Sequence, residues 1–329
     1  MSQEKIIRWG ILGPGKIAHK FCSDLQQVQG NKITAVASRS MDRAKAFATE
    51  YAIPNSYRSY EELSQSTEVD IIYIATPHTY HCKNTIMCLR NGKHVLCEKP
   101  MAINQKQIDE MITAAAENKC FLMEAIWSAF FPSIRKMNEL IADGAIGDIR
   151  MIEADFGFTA PVDYSKRLYN ADLAGGALLD IGIYPLFLAH LLKGRPKEIK
   201  AMTTMTETQV DGSTTISLSW DDGTLASLNT TIFADSPTTA KISGPKGYIV
   251  LHRRWHEARE ISLYNKGGLV NTWTYKDDCY GYRYEIEEVQ QCLTKGKIES
   301  NVLTHKFSQS LMSSIDSVRE QIGLKYPFE

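Results

Sequence analysis

Two side chains stand apart in the stretch "GGALLDIGIYPLFLAHLL", Gly175 to Leu192: Asp180 and Tyr184. The rest of the segment reads as buried. A carboxylate taken out of water costs several kcal/mol unless it is paired. Four residues apart on a helix, a carboxylate and a phenol share one face, about one turn apart. They either satisfy each other in a core or face a site together, and the spacing leaves both open.

A second group of titratable residues falls at two strand ends. "ATPHTYHCK" places Ala75, Thr76 and Pro77 ahead of His78 and His81, and "CEKPM" carries Glu98 and Lys99 beside Cys97. In open parallel sheets ligands bind beyond the carboxyl ends of the strands. Singly, each residue also suits a plain role: a loop histidine, a helix start, a surface ion pair worth little. Together, at successive strand ends, they mark a ligand edge.

A third pattern suits a nucleotide. In "GILGPGKIA", Gly13, Gly15 and Ala18 give G-x-G-x-x-A, with Lys16 and Ile17 between. The first glycine permits a tight turn, the second lets backbone approach a pyrophosphate, and the small third residue lets helix and strand pack closely. The first amides of the helix are ready donors to phosphate. At the end of the second strand, where NAD sites carry a carboxylate, this chain reads "ASRSMDR". Ser38, Arg39 and Arg43 put cations there, which suits the extra phosphate of NADP and leaves NAD possible. The same arginines also suit a solvated helix face.

These groups need elements to hold them. Residues 5–12, 32–38, 70–76, 94–98 and 120–125 read as strands, and 16–28, 40–51, 59–66, 81–92 and 104–119 as helices. The alternation implies βαβ units and a parallel sheet covered on both faces. From about Gly147 the pattern changes. Strand-like segments separated by "DDG", "SGPKG" and "NKGG" predict an antiparallel sheet, and two helical patterns, 282–296 and 304–323, follow.

Composition narrows the classes. The chain has 329 residues, enough for about two domains. Lys plus Arg number 37 against 38 Asp plus Glu, a balance that argues against nucleic acid or an anionic membrane as partner. No apolar run is expected to reach the roughly 20 residues of a membrane span; the nearest, "CFLMEAIWSAFFP", is broken by Glu124. The beginning, "MSQEKIIRWGILG", lacks a signal-peptide pattern, so a cytoplasmic location is expected. Seven cysteines without a C-x-x-C pair suggest free thiols, with no disulfide framework and no metal site.

"GILGPGKIA", "ASRS", "ATPHTYH", "CEKPM" and "GGALLDIGIYP", in this order, resemble the Gfo/Idh/MocA oxidoreductase family. "EAIWSAFFP", "RLYNADLAGGALLDIGIYP" and the tail from Glu299 resemble its branch of dimeric dihydrodiol and NADP-dependent D-xylose dehydrogenases. The resemblance implies an α/β fold: an N-terminal Rossmann domain with a doubly wound parallel sheet, residues 1–125, then an α+β domain with a large, mainly antiparallel sheet, residues 126–329. It implies hydride transfer between a nicotinamide and a sugar or vicinal-diol substrate, and a homodimer. By position Lys99, Asp180 and Tyr184 map onto the catalytic group, with tyrosine where many members have histidine. An ordinary tyrosine titrates near ~10, and a neighbouring lysine cation favours the phenolate. The resemblance also carries over Trp127 as an aromatic wall near the nicotinamide and Arg167 as a cofactor or substrate contact. Phe156, Phe158 and Tyr164 follow as pocket residues. Two other readings stand beside this one: an NAD-dependent inositol or polyol dehydrogenase, and a dinucleotide-sensing regulator without turnover.

Overall fold

The computed structural model describes residues 6–329. Lys5, the first residue of the first expected strand, lies outside them. The chain divides into two compact units. The first holds the described residues up to Ala129 together with Asp277–Ser308, and the second holds Phe130–Lys276 and Gln309–Glu329.

In the first unit the chain runs β1 (Ile7–Leu12), α1 (Lys16–Leu25), β2 (Asn31–Ala37), α2 (Met41–Glu50), β3 (Asn55–Tyr57), α3 (Tyr60–Gln65), β4 (Ile71–Ile74), α4 (His81–Arg90), β5 (His94–Glu98), α5 (Gln105–Glu117) and β6 (Leu122–Ala125). The six strands form a parallel sheet in the order β3-β2-β1-β4-β5-β6, the doubly wound arrangement. β1 and β4 are almost wholly buried, as expected for strands covered on both faces. β3 was not anticipated; three half-buried residues are too short to show a period.

Residues 277–308 complete this unit. Asp24 on α1, fully buried, accepts backbone N–H bonds from Tyr280 at 2.9 Å, Gly281 at 2.9 Å and Arg283 at 3.3 Å. It thereby satisfies otherwise orphaned amides at the start of a later helix, Arg283–Thr294. The edge strand β6 is covered by the same segment: Leu122 N donates to Ile298 O at 3.0 Å, and His305 Nε2 lies 3.0 Å from Leu122 O.

The second unit begins with α6 (Pro132–Ala142) and β7 (Met151–Gly157). Next come α7 (Ile183–Lys193), β8 (Glu198–Met205), β9 (Asp211–Ser219), β10 (Leu225–Thr231), β11 (Ala240–Gly244), β12 (Gly247–Leu251), β13 (Glu260–Asn265) and β14 (Gly268–Thr274). The helix Arg283–Thr294 is α8, and α9 covers His305–Ile322. The eight strands form one sheet, β14-β13-β12-β11-β7-β10-β9-β8, in which only the β7–β10 pair is parallel. Its inner face buries Ile152, Ala154, Ile216, Leu218, Ala226 and Leu228, while Thr215, Ser217 and Asn229 point the other way.

α7 is buried on every side from Ile183 to His190 and packs on β7 and β10. A π-helical turn, Leu178–Gly182, leads into it. The stretch Ala171–Lys193 corrects one expectation: it contains a window long and apolar enough to cross a membrane by composition. That window is 83% buried in the protein, which makes it a core segment.

Candidate active site

The turn after β1 is shaped for a dinucleotide. Gly13 has φ +96°, a left-handed conformation, and a side chain there would meet Ala75 O at 3.1 Å. Gly15 precedes α1 with open space where a Cβ would be, and no side chain caps the helix. Backbone amides around Lys16, Ile17 and buried Ala18 therefore fit a diphosphate. Beyond β2, Ser38 is buried and accepts from Ser40 N at 3.2 Å, and Ser40 in turn caps α2 by accepting from Arg43 N. The Arg39 guanidinium lies 5.6 Å from the centre of the Tyr80 ring. Burial raises the Tyr60 phenol pKa, against the opposing charge of the same guanidinium. Tyr80 and Tyr60 were not anticipated, because neither lies in a recognisable nucleotide motif.

The two strand ends are tied together below this edge. His81 is fully buried, with Nδ1 2.8 Å from Pro100 O and Nε2 2.7 Å from Thr76 O. It joins the Ala75–Pro77 turn to the "CEKP" turn. His78 is buried, its ring 5.6 Å from that of His81. Glu98 accepts a bond from the Tyr73 hydroxyl and from Lys99 N at 3.2 Å. Burial, then the Glu98 charge, pushes the Tyr73 phenol well up. Glu124 is also fixed: it accepts from Met101 N at 2.8 Å and the Ser308 hydroxyl at 2.6 Å, while burial raises its pKa. Cys97 is sealed in, its thiol pushed well up by burial. Trp127 stacks on Tyr282 at 4.7 Å, so the indole expected from resemblance is held by a ring from the returning segment.

In the second unit Arg167 and Asp180 come together. Arg167 Nη2 donates to Asp180 Oδ1 at 2.7 Å, and the buried Nη1 has no bonding partner. Asp180 is thus paired with a guanidinium, which answers the question its burial raised. The Tyr184 ring lies 5.6 Å from Phe156 and 5.2 Å from His256, and the latter two stack at 4.3 Å. His256 was missed: it is distant in sequence and stands in no motif. Phe158 packs instead on a small core of Ala160, Tyr169, Ala177, Ile181 and Ile232, alongside Phe156 and Leu168. Tyr164 was expected in the pocket. It is exposed, and its hydroxyl donates to Glu207 at 2.6 Å, which raises its pKa.

Residues 7–126 match the family model described as "Oxidoreductase family, NAD-binding Rossmann fold", of the Gfo/Idh/MocA group. Residues 134–250 match the GFO/IDH/MocA C-terminal domain. The chain belongs to the Gfo/Idh/MocA oxidoreductase family. Trans-1,2-dihydrobenzene-1,2-diol dehydrogenase of Mus musculus is 35% identical to it over 98% of each chain. That of Xenopus tropicalis is 37% identical over 97% of this chain and 99% of its own. A 3-ketoreductase from Actinomadura kijaniata, solved with NADP and TDP-benzene, superposes with a TM-score of 0.87 at 26% identity, covering 96% of this chain and 98% of its own. Aldose-aldose oxidoreductase from Caulobacter crescentus shares the fold, with a TM-score of 0.88 at 24% identity over 96% and 97% of the two chains. As a Gfo/Idh/MocA member with a Rossmann domain, the protein is an NAD(P)-dependent oxidoreductase.

Proposed function

We propose that the protein oxidises a carbinol of a vicinal diol, either a cyclic dihydrodiol or a pyranose such as D-xylose, with NADP as the preferred oxidant. The observation that carries this reading is the Arg167–Asp180 pair at 2.7 Å on the turn leading to Tyr184. A carboxylate held by a guanidinium on one side has lone pairs left for a substrate hydroxyl. One helical turn on, the phenol of Tyr184 is flanked by the flat rings of Phe156 and His256, which suits a ring-shaped substrate.

In this reading Tyr184 takes the hydroxyl proton as the substrate carbon is oxidised, and returns it in the reverse direction. The family resemblance puts Lys99 in the same catalytic group, and an ammonium next to a phenol favours the phenolate. Asp180 orients the neighbouring hydroxyl, and Arg167 keeps that carboxylate aimed. When bound, the nicotinamide supplies the hydride acceptor. Gly13, Gly15 and the first amides of α1 hold its diphosphate, and Ser38, Arg39 and Arg43 hold the ribose phosphate of NADP.

The protein acts as a cytoplasmic homodimer that pairs through the outer face of its large sheet. That face carries Thr215, Ser217 and Asn229 with exposed Met202 and Leu225, and a concavity of about 600 Å³ runs along β8–β10. Seven buried free thiols suit a reducing compartment. The test is a panel assay at 340 nm with NADP and NAD against a trans-dihydrodiol, D-xylose and myo-inositol. Turnover of a dihydrodiol or xylose with NADP is expected. Turnover of inositol with NAD alone, or of none of them, overturns the reading. Light scattering should give twice the chain mass, and a monomer would remove the dimer.

A further inference from the structure

Below the turn that carries Asp180 lies a buried carboxyl that the reaction above does not use. Asp211, at the start of β9, is fully buried. Its Oδ2 accepts from Leu178 N at 2.7 Å and from the Thr214 hydroxyl at 3.1 Å. Leu178 opens the π-helical turn, two residues before Asp180. The other oxygen, Oδ1, has no bonding partner and packs against Gly176, where an added Cβ would stand 2.1 Å from it. Gly176 has φ +108°, so neither the conformation nor the space admits a side chain.

The same turn is gripped from a second direction. Gly175 N donates to Asn170 O at 3.0 Å and Gly176 N to Leu168 O at 2.8 Å, which closes the loop after Arg167. The buried hydroxyl of Tyr326 donates to Gly175 O at 2.8 Å. Arg319 on α9 lies over the Tyr326 ring, 4.7 Å from its centre, and is ion-paired with Glu329. Arg319 and Tyr326 are the ionisable groups that act on Asp211, and Glu329 and Arg167 stand beyond them around Tyr326.

We propose that Asp211 is a positioning residue for the reaction: with Tyr326 it fixes the Gly175–Leu178 turn, and so sets where the Arg167–Asp180 pair points. This rests on the function proposed above. Burial holds the Asp211 carboxyl up at about 6, against the bonds from Leu178 and Thr214 and the Arg319 charge that pull it down. The ionised form grips the Leu178 amide more strongly than the protonated form. Turnover should therefore fall as pH drops through about 6.

The test compares Asp211→Asn and Tyr326→Phe with the parent. Asp211→Asn should lower kcat about tenfold at pH 8, leave NADP affinity unchanged, and lose the acid limb near pH 6 because it no longer titrates. A general loss of stability would not abolish a pH limb selectively. Hydrogen exchange of residues 175–182 should quicken about tenfold in both variants, and this readout needs no substrate. If no diol or sugar is turned over, the functional reading fails while exchange still decides this one. Parent-like exchange in both variants, or a parent-like pH profile for Asp211→Asn, overturns the proposal. Should Asp211→Asn not fold, Tyr326→Phe, which keeps its ring, decides by exchange and kcat.

Discussion

The imidazole of His256 stands 5.2 Å from the Tyr184 ring, centre to centre, while stacking at 4.3 Å on Phe156. It therefore supports both rings. His256→Ala should leave a void beside the phenol and raise the KM for a diol by roughly tenfold, with NADP affinity unchanged. His256→Phe restores a flat ring and should recover most of the loss. Equal defects in the two variants would show that the imidazole nitrogens, rather than the packing, matter.

Tyr184→Phe should abolish most turnover, by ~100- to 10,000-fold, without disturbing the surrounding rings. Lys99→Met should cause a loss of similar size. Groups that act as a unit are not additive, so the double variant should be little worse than either. Steady-state kinetics with matched NADP titrations check this. A multiplicative loss would separate the two roles.

Arg39→Asp should move preference from NADP toward NAD, because a carboxylate repels the ribose phosphate and accepts from free ribose hydroxyls. Calorimetry with both cofactors is the measurement. Equal binding of both by the parent would mean that Arg39 merely rests on Tyr80.

Arg167→Met removes the partner of a largely buried carboxylate. A hydrogen bond to a charged group contributes about 1.5–3 kcal/mol, so kcat/KM should fall by roughly ten- to a hundredfold. Arg167→Lys should rescue only part of this, since an ammonium lacks the planar fork.

His190 gives a pH signature of stability. Burial, then the nearby Arg195 charge, lowers its pKa to about 4, and its ring lies 3.0 Å from the Ser314 hydroxyl. The unfolded chain binds this proton below about 6.5, and the folded one only below about 4. Stability should therefore fall as pH drops across that window, by up to about 3 kcal/mol from this group, and be unaffected by it above. Denaturant melts of His190→Gln should show a flatter dependence between pH 4 and 6.5.

The Rossmann pattern was legible because doubly covered parallel strands are continuous apolar runs, as in "DIIYIAT", and because Gly13 stands at φ +96°, where the turn favours glycine. α6 was readable too, from Pro132 at its start and Ile134, Met137 and Leu140 along one face, yet it was not assigned. β14 was not readable: six of its seven residues are exposed, so no buried face imprints a period. At the site, Asp180 and Tyr184 were visible as polar residues in an apolar run, but the partner of Asp180 came from a loop 13 residues earlier. Asp211 reaches the same region from the start of β9 and His256 from a short turn between β12 and β13, and pairings made only by tertiary folding leave no local pattern.

The bonds from Asp24 to residues 280–283 join chain made early to chain made late. During synthesis the nucleotide-binding sheet emerges long before the segment that caps its α1 carboxylate and stacks Tyr282 on Trp127. Until then a charged group and several large rings stand without their native cover. The first part of the protein to be translated thus waits for residues 277–308, made about 150 residues later, before its own fold is complete.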